Sequence, residues 1–361
     1  MSLLMVAMSG GVDSSVAAAL MLAEGHEVVG VTMIAVSPPG APADEPSLPP
    51  TEQVREAERV CRQLGIPHQV LDLRQEFARE VIGYFLEEYR QGRTPNPCGR
   101  CNSRIKFGVL LERARALGAR QLVTGHYARL RTDPATGRLR LLRGRDPRKD
   151  QSYFLARLRR DQLAMARFPI GEFPKLRVRE MARDLGLAVA EKADSQDLCF
   201  VPDGGTADFL RRGLGPGRAG PILDLAGRLL GTHAGLEFFT VGQRRGLGVC
   251  GGERLYVLEV DPARNALVLG QAENLLHREM EVEEVNWLVD RPVARAQVQF
   301  RSTSRGAPGA LTALPDGRVR VRFDRRQRAL CPGQWAVFYR RDEVLGAGVI
   351  ARIGPATPGP T

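Results

Sequence analysis

The stretch that most constrains the fold is LLMVAMSGGVDSSVAAALMLAEGHEVVGVTMIAV, residues 3–36. LLMVAM is a short apolar strand and SGGVDSS a turn rich in glycine and hydroxyl groups. SVAAALMLAEGH has the Ala and Leu character of a helix, with Gly25 as its C-terminal stop, and EVVGVTMIAV is a second, buried strand. Strand, turn, helix, strand is a βαβ unit, and such units build parallel sheets. The turn also has a chemical consequence. Glycines at the N-terminus of a helix let backbone N–H groups approach phosphate oxygens, the serines add donors, and the helix dipole adds positive potential. The loop lacks the GK[ST] ending of a Walker loop, so no lysine from it reaches for a γ-phosphate.

The α/β pattern continues. TEQVREAERVCRQLG is a helix capped by Thr51, PHQVLDL a third strand and QEFAREVIGYFLEEYRQG an amphipathic helix. TPNPCGRCN, residues 94–102, follows as a loop, then SRIKFGVLLERARALG as a helix ending at Gly118. RQLVTGHYARL supplies a further strand running into GHYA, RTDPATGRLRLLRG a hairpin, and residues 150–200 are mainly helical. SPPGAPADEPSLPP, residues 37–50, is an exposed Pro-rich loop. Beyond residue 200 glycine and proline punctuate short β-like runs, and from about 280 onward polar and apolar residues alternate, as in GRVRVRFD. The expected organisation is therefore an α/β domain over 1–200, a small central domain over 201–278, a β-barrel over 279–354 and a disordered tail over 355–361.

Six cysteines stand at 61, 98, 101, 199, 250 and 331. In a chain with no apolar run near the ~18 residues that span a membrane, and no basic secretory leader, cytoplasmic localisation is expected and a disulfide framework is not. Cys61, Cys250 and Cys331 read as structural. The pair in TPNPCGRCN is open to three readings: a metal clip, a redox pair, or one reactive thiol beside an unrelated neighbour. The net charge of +11 favours a polyanionic partner. Of 52 basic residues only Lys106, Lys149, Lys175 and Lys192 are lysines, so each position where a compact ammonium replaces a planar guanidinium invites a reason.

SGGVDSS is similar to the pyrophosphate-binding loop of ATP pyrophosphatases, enzymes that cleave ATP between its α- and β-phosphates and adenylate a carbonyl or carboxylate oxygen. GRTPNPCGRCNSRIKF (92–107), TGHYAR (124–129), KDQSYFL (149–155), DSQDLCF (194–200), GQRRGLG (242–248) and PGQWAVFY (332–339) then resemble, in order, one branch of that superfamily. That branch is the bacterial tRNA-uridine 2-sulfurtransferases, or 2-thiouridylases. Lys106 lies in IKF, Lys149 in KDQ and Lys192 shortly before DSQDLC, while Lys175 stands in FPK at a helix start.

The resemblance implies an α/β fold: an N-terminal parallel-sheet domain like the adenine-nucleotide alpha-hydrolases, a small central domain and a C-terminal β-barrel. It implies ATP and Mg²⁺ as requirements, and as partners the Glu, Gln and Lys tRNAs together with a sulfur-carrier protein or cysteine desulfurase, with no membrane. Uridine O2 would be adenylated at the wobble position before sulfur replaces AMP. Residue by residue, it places ATP against Ala7, Met8, Ser9, Gly10, Gly11, Val12, Asp13, Ser14, Met33 and Gly125, with Asp13 an indirect metal contact. The target base would meet Asn96, Pro97 and Cys98. His126, Lys149, Asp150, Gln151, Phe300, Arg301 and Gln334 would contact tRNA. Cys101 is the implied nucleophile and Cys199 the implied persulfide carrier.

Some relatives have Asp where this chain has Cys98. Cys98, Cys101 and Cys199 would then give three thiols, enough for three irons of a [4Fe–4S] cluster with one iron open. Persulfide and cluster routes both stand at this point. An ATP pyrophosphatase forming an amide on a small metabolite is the alternative in another reaction class, and it has no use for the cysteines.

Overall fold

The computed structural model describes residues 2–37, 51–194, 198–201, 205–249 and 254–354. Most of the Pro-rich loop, Ser195–Asp197 of DSQDLCF, Cys250 and the tail from 355 lie outside them. The chain divides into two compact units, one over 1–81, 98–197 and 342–344, the other over 82–97, 198–341 and 345–361.

The first unit is built on a five-stranded sheet of β1 (Leu3–Ala7), β2 (Glu27–Ile34), β3 (His68–Asp72), β4 (Gln121–Val123) and β7 (Ala166–Arg167), in the order β3-β2-β1-β4-β7. Every pairing is parallel. Helix α1 (Val12–Ala23) packs its Val16, Ala17, Ala18 and Met21 into the core beside Leu4 and Val6 of β1. Gly25 beyond its end has φ +80°, the left-handed stop expected there. Helix α2 (Glu52–Leu64) is capped by Thr51, whose Oγ1 accepts from Val54 N–H. Cys61 of α2 is core: Gly30 of β2 is the residue that admits it, since a Cβ there would stand 2.5 Å from its sulfur.

The strand running into GHYA is β4, which ends at Val123, and the hairpin after it pairs Ala128–Thr132 (β5) with Leu139–Arg143 (β6). Two expectations change. The mainly helical region holds β7, two residues long and invisible to a period-2 pattern, at the sheet edge. TPNPCGRCN is a loop only to Asn96. Pro97–Cys101 is helix, because Pro is preorganised for the first helical position, where no N–H partner is needed. That helix widens into π turns over Asn102–Leu110 and resumes over Leu111–Ala116, with Leu111 N–H donating to Lys106 O.

The second unit carries a four-stranded sheet, β8 (Gly220–Leu223), β9 (Leu229–His233), β10 (Tyr256–Asp261) and β11 (Ala266–Gly270), in the order β10-β11-β8-β9. It also carries a six-stranded barrel of β12 (Leu276–Trp287), β13 (Arg295–Gln299), β14 (Ala307–Ala313), β15 (Val319–Arg328), β16 (Trp335–Arg340) and β17 (Glu343–Ile353). The order β12-β15-β14-β13-β16-β17 closes through β12 and β17, which leaves no free edge. The alternation in GRVRVRFD is the barrel wall: Val319, Val321 and Phe323 are buried while Arg320 and Arg322 face out.

Candidate functional site

Ala7 ends β1, and Met8 N–H donates to Val31 O at 2.8 Å, so the chain leaves the sheet at the carboxyl end of its strands, where open α/β sheets bind ligands. Gly10 has φ +64°, and a Cβ on it would stand 2.7 Å from Gln53 O at the start of α2. Gly11 precedes α1 in extended conformation and caps it with no side chain. Ser14 and Ser15 hydroxyls instead donate back to Gly11 O, at 3.2 and 2.8 Å. The exposed Ser9 bonds through both its N–H and its hydroxyl to Ser14 Oγ. The first-turn N–H groups of a twelve-residue helix thus face the loop, as an anion requires. Met33 lies near the end of β2, paired with Leu71. Gly125 abuts the loop itself: a Cβ there would meet Asp13 C and Ser14 N at 2.7 Å.

A charged network surrounds Asp13. Its carboxylate accepts from Tyr127 Oη at 2.7 Å and from Lys175 Nζ at 2.8 and 2.9 Å. Lys175 Nζ also lies 2.8 Å from Asp194, which in turn pairs with Lys149 at 2.6 Å and Arg179 at 2.8 Å. Burial pushes the Asp194 carboxyl up, but hydrogen bonds from Lys149 and Lys175 outweigh it and hold the pKa at about 2. Burial, then the Asp13 charge, push the Tyr127 phenol far above its ordinary value, so it stays a donor. Lys192 donates to Gly10 O at 3.2 Å and pairs with Glu56 of α2. Lys175 and Lys192 therefore both reach the loop, and Lys149 shares Asp194 with Lys175.

The remaining candidates separate into surface and interior. Cys98 is exposed in the first turn of its helix and Cys101 buried one turn on. Arg100, between the two cysteines, donates to Glu80 from Nε and Nη2. Cys199 is exposed in the second unit. Asp150 accepts from Arg143, Gly144 N–H and Ser152, which organises the turn before Ser152–Leu155. Gln151 and Tyr127 exchange two hydrogen bonds. His126 is buried among Phe107 and Phe168, with Nδ1 2.7 Å from Thr124 Oγ1; burial, then Lys106, push its pKa well below the ordinary range. Phe300 is barrel core against Phe323. Arg301 and Gln334 do come together. They line an open cleft of about 500 Å³ with Thr94, Ser302, Thr303 and Arg328, and Gln334 Nε2 donates to Pro95 O at 2.9 Å. Cys331 borders the same cleft, with its thiol pushed up by burial. Among the described residues no three His, Cys, Asp or Glu side chains gather as a metal-binding group, so the cluster ligand set expected from sequence finds no support.

The chain matches the family profile for a tRNA methyl transferase HUP domain over residues 2–203, a tRNA methyl transferase PRC-barrel domain over 207–271 and an aminomethyltransferase beta-barrel domain over 277–350. It is 49% identical over 359 residues to the tRNA-specific 2-thiouridylase MnmA of Chloroflexus aggregans, covering 98% of this chain and 99% of that one. The chain belongs to the tRNA-specific 2-thiouridylase family. A second such thiouridylase, from Heliobacterium modesticaldum, is 46% identical and covers 96% of this chain and 92% of its own length. A solved 4-thiouridine synthetase in complex with RNA and ATP covers 55% of this chain and 44% of its own at 21% identity and TM-score 0.34, too slight a likeness to place residues. Within the thiouridylase family the loop at Ser9–Ser15 and the helix carrying Cys98 and Cys101 are the features to read chemically. The missed member is Lys175, whose partner Asp13 is 162 residues away; its only signal in the sequence is its rarity.

Proposed function

We propose that this thiouridylase converts the wobble uridine of the Glu, Gln and Lys tRNAs to 2-thiouridine at the expense of ATP. One observation carries the reading: a chain that aligns over 98% of its length with a tRNA-specific 2-thiouridylase has the glycine- and serine-rich loop Ser9–Ser15 leading into α1 and thiols at 101 and 199 in TPNPCGRCN and DSQDLCF. Uridine O2 attacks the α-phosphorus and pyrophosphate leaves, received by the Gly10–Ser14 amides and the Ser9 hydroxyl. Mg²⁺ arriving with the phosphates supplies charge neutralisation.

The base is turned out of the anticodon stack to reach Asn96, Pro97 and Cys98. Arg301 and Gln334 hold the tRNA at their cleft, where guanidinium and hydroxyl groups suit a phosphodiester. Lys149 adds charge; Asp150 and Gln151 act by fixing the turn that follows it, His126 by packing beside Phe107 and Phe168, and Phe300 by packing the barrel wall next to Arg301. Cys199 receives sulfane sulfur from a carrier protein or desulfurase. The terminal sulfur of Cys199–S–SH attacks C2 and AMP departs. The Cys101 thiolate then attacks Cys199 Sγ, which frees the thiocarbonyl and leaves a Cys101–Cys199 disulfide for an external thiol to reduce. Among the described residues no helix is long and apolar enough to cross a membrane, and we place the enzyme with its tRNA in the cytoplasm.

The test combines protein, ATP, Mg²⁺, a persulfide donor and unmodified tRNA-Glu, with nucleoside mass spectrometry for 2-thiouridine and parallel assay of AMP and pyrophosphate. Product in the wild type, lost in Cys101→Ala and Cys199→Ala, is expected. No 2-thiouridine under aerobic and under anaerobic, iron-reconstituted conditions refutes the proposal.

A further inference from the structure

Lysine is so scarce in this chain that its use at a buried position needs a reason, and Lys175 is 8% exposed with two carboxylates on one ammonium. Asp13 belongs to the phosphate loop and Asp194 begins the DSQDLCF motif, yet Lys175 Nζ stands 2.8 Å from each. Two carboxylates at such distances from one point are what a divalent cation recruits. The planar guanidinium of arginine is too wide for that point, which explains a lysine among so many arginines. Tyr127 Oη takes another Asp13 lone pair, and Lys149 and Arg179 take the rest of Asp194, so both carboxylates are oriented as well as neutralised.

We propose that Lys175 is a positioning residue of the nucleotide site: its ammonium occupies the place of a cation between Asp13 and Asp194. It thereby fixes the first turn of α1 and keeps free divalent metal out of the pair, so that metal enters only with the phosphates of the nucleotide. The inference rests on the reading of Ser9–Ser15 as an ATP loop, but its central claim concerns an ion pair that exists without nucleotide.

The experiment measures Mn²⁺ binding by loss of the free-ion EPR signal in nucleotide-free full-length protein, and Mg·ATP binding by calorimetry. Wild type is expected to take up Mn²⁺ only when ATP is added. Lys175→Met, which keeps the side-chain length and removes the charge, gains one nucleotide-independent Mn²⁺, loses on the order of tenfold in ATP affinity, and leaves tRNA affinity unchanged. Lys175→Met/Asp194→Asn loses the new Mn²⁺ site, an outcome that a merely structural lysine would not give. If Lys175→Met does not fold, Asp194→Asn decides: weakened ATP binding with no nucleotide-free Mn²⁺ supports the proposal, and unchanged ATP binding overturns it. Nucleotide-free Mn²⁺ in wild type that Asp194→Asn removes overturns it, as does a folded Lys175→Met with neither change. Wild type that binds no ATP refutes the loop reading instead, and the Mn²⁺ arm still judges the lysine.

Discussion

Gly125→Ala puts the packing of the Ser9–Ser15 loop, proposed to hold the nucleotide phosphates, to a sharp test. The added Cβ would lie 2.7 Å from Asp13 C and from Ser14 N, and 3.0 Å from Asp13 Cβ. Backbone atoms cannot swing aside as a flexible side chain can. Reaching an ordinary contact at 3.4 Å requires about 0.7 Å of separation between the segment after β4 and the first turn of α1. Overpacking of this kind costs ~1–3 kcal/mol, and in a domain of this size each kcal/mol lowers Tm by about 2–4 °C. The functional effect exceeds the stability effect, because a reacting group misplaced by ~1 Å loses on the order of a hundredfold in rate. We expect a fall of roughly ten- to a hundredfold in kcat/KM for ATP, with tRNA affinity preserved. Gly118→Ala is the control. Its φ of +76° makes alanine strained, yet a Cβ there meets nothing within 4 Å, so it loses ~1 kcal/mol of stability and no ATP affinity. A Gly125→Ala protein that is less stable but binds and uses ATP as wild type does would refute the claim that this contact sets the loop.

Acid unfolding of wild type and Asp194→Asn reads the salt-bridged carboxylate. Because Asp194 is held at about 2, below its ordinary 3.8, its stabilisation is full above pH ~4 and lost as pH falls toward 2. The stability gap between the two proteins should be constant above that window and shrink within it; a gap that widens there refutes the assignment. Iodoacetamide labelling with peptide mass spectrometry should modify Cys98 and Cys199 well before Cys61, whose thiol burial and Glu58 push up to about 11. Phe300→Ala should cost ~3–5 kcal/mol in chemical unfolding, as barrel core does, whereas Arg301→Ala should weaken tRNA binding and flatten its salt dependence with little change in unfolding.

Much of the architecture and the chemistry is local, and local features are legible. The βαβ unit announces itself by period and by Gly25, the barrel wall by the strict alternation of Val319 to Phe323, and α2 by the Thr51 cap, since each depends on residues a few positions apart. The Ser9–Ser15 loop is likewise one contiguous run, and so are the motifs carrying Cys101 and Cys199. β7 is too short for any period to register, and Pro97 hides a helix start behind a loop-like composition.

What only the tertiary structure decided is which distant groups meet. Nothing in GHYA says that Gly125 is the clearance for Asp13 or that His126 turns inward among phenylalanines, and nothing in FPK says that Lys175 reaches a loop 162 residues away. Sequence therefore determined the kinds of chemistry available to this protein, because dihedral preference, periodicity and donor type are properties of neighbouring residues. The fold determined which carboxylate faces which cation, because burial and charge pairing depend on where the closed chain brings its ends together.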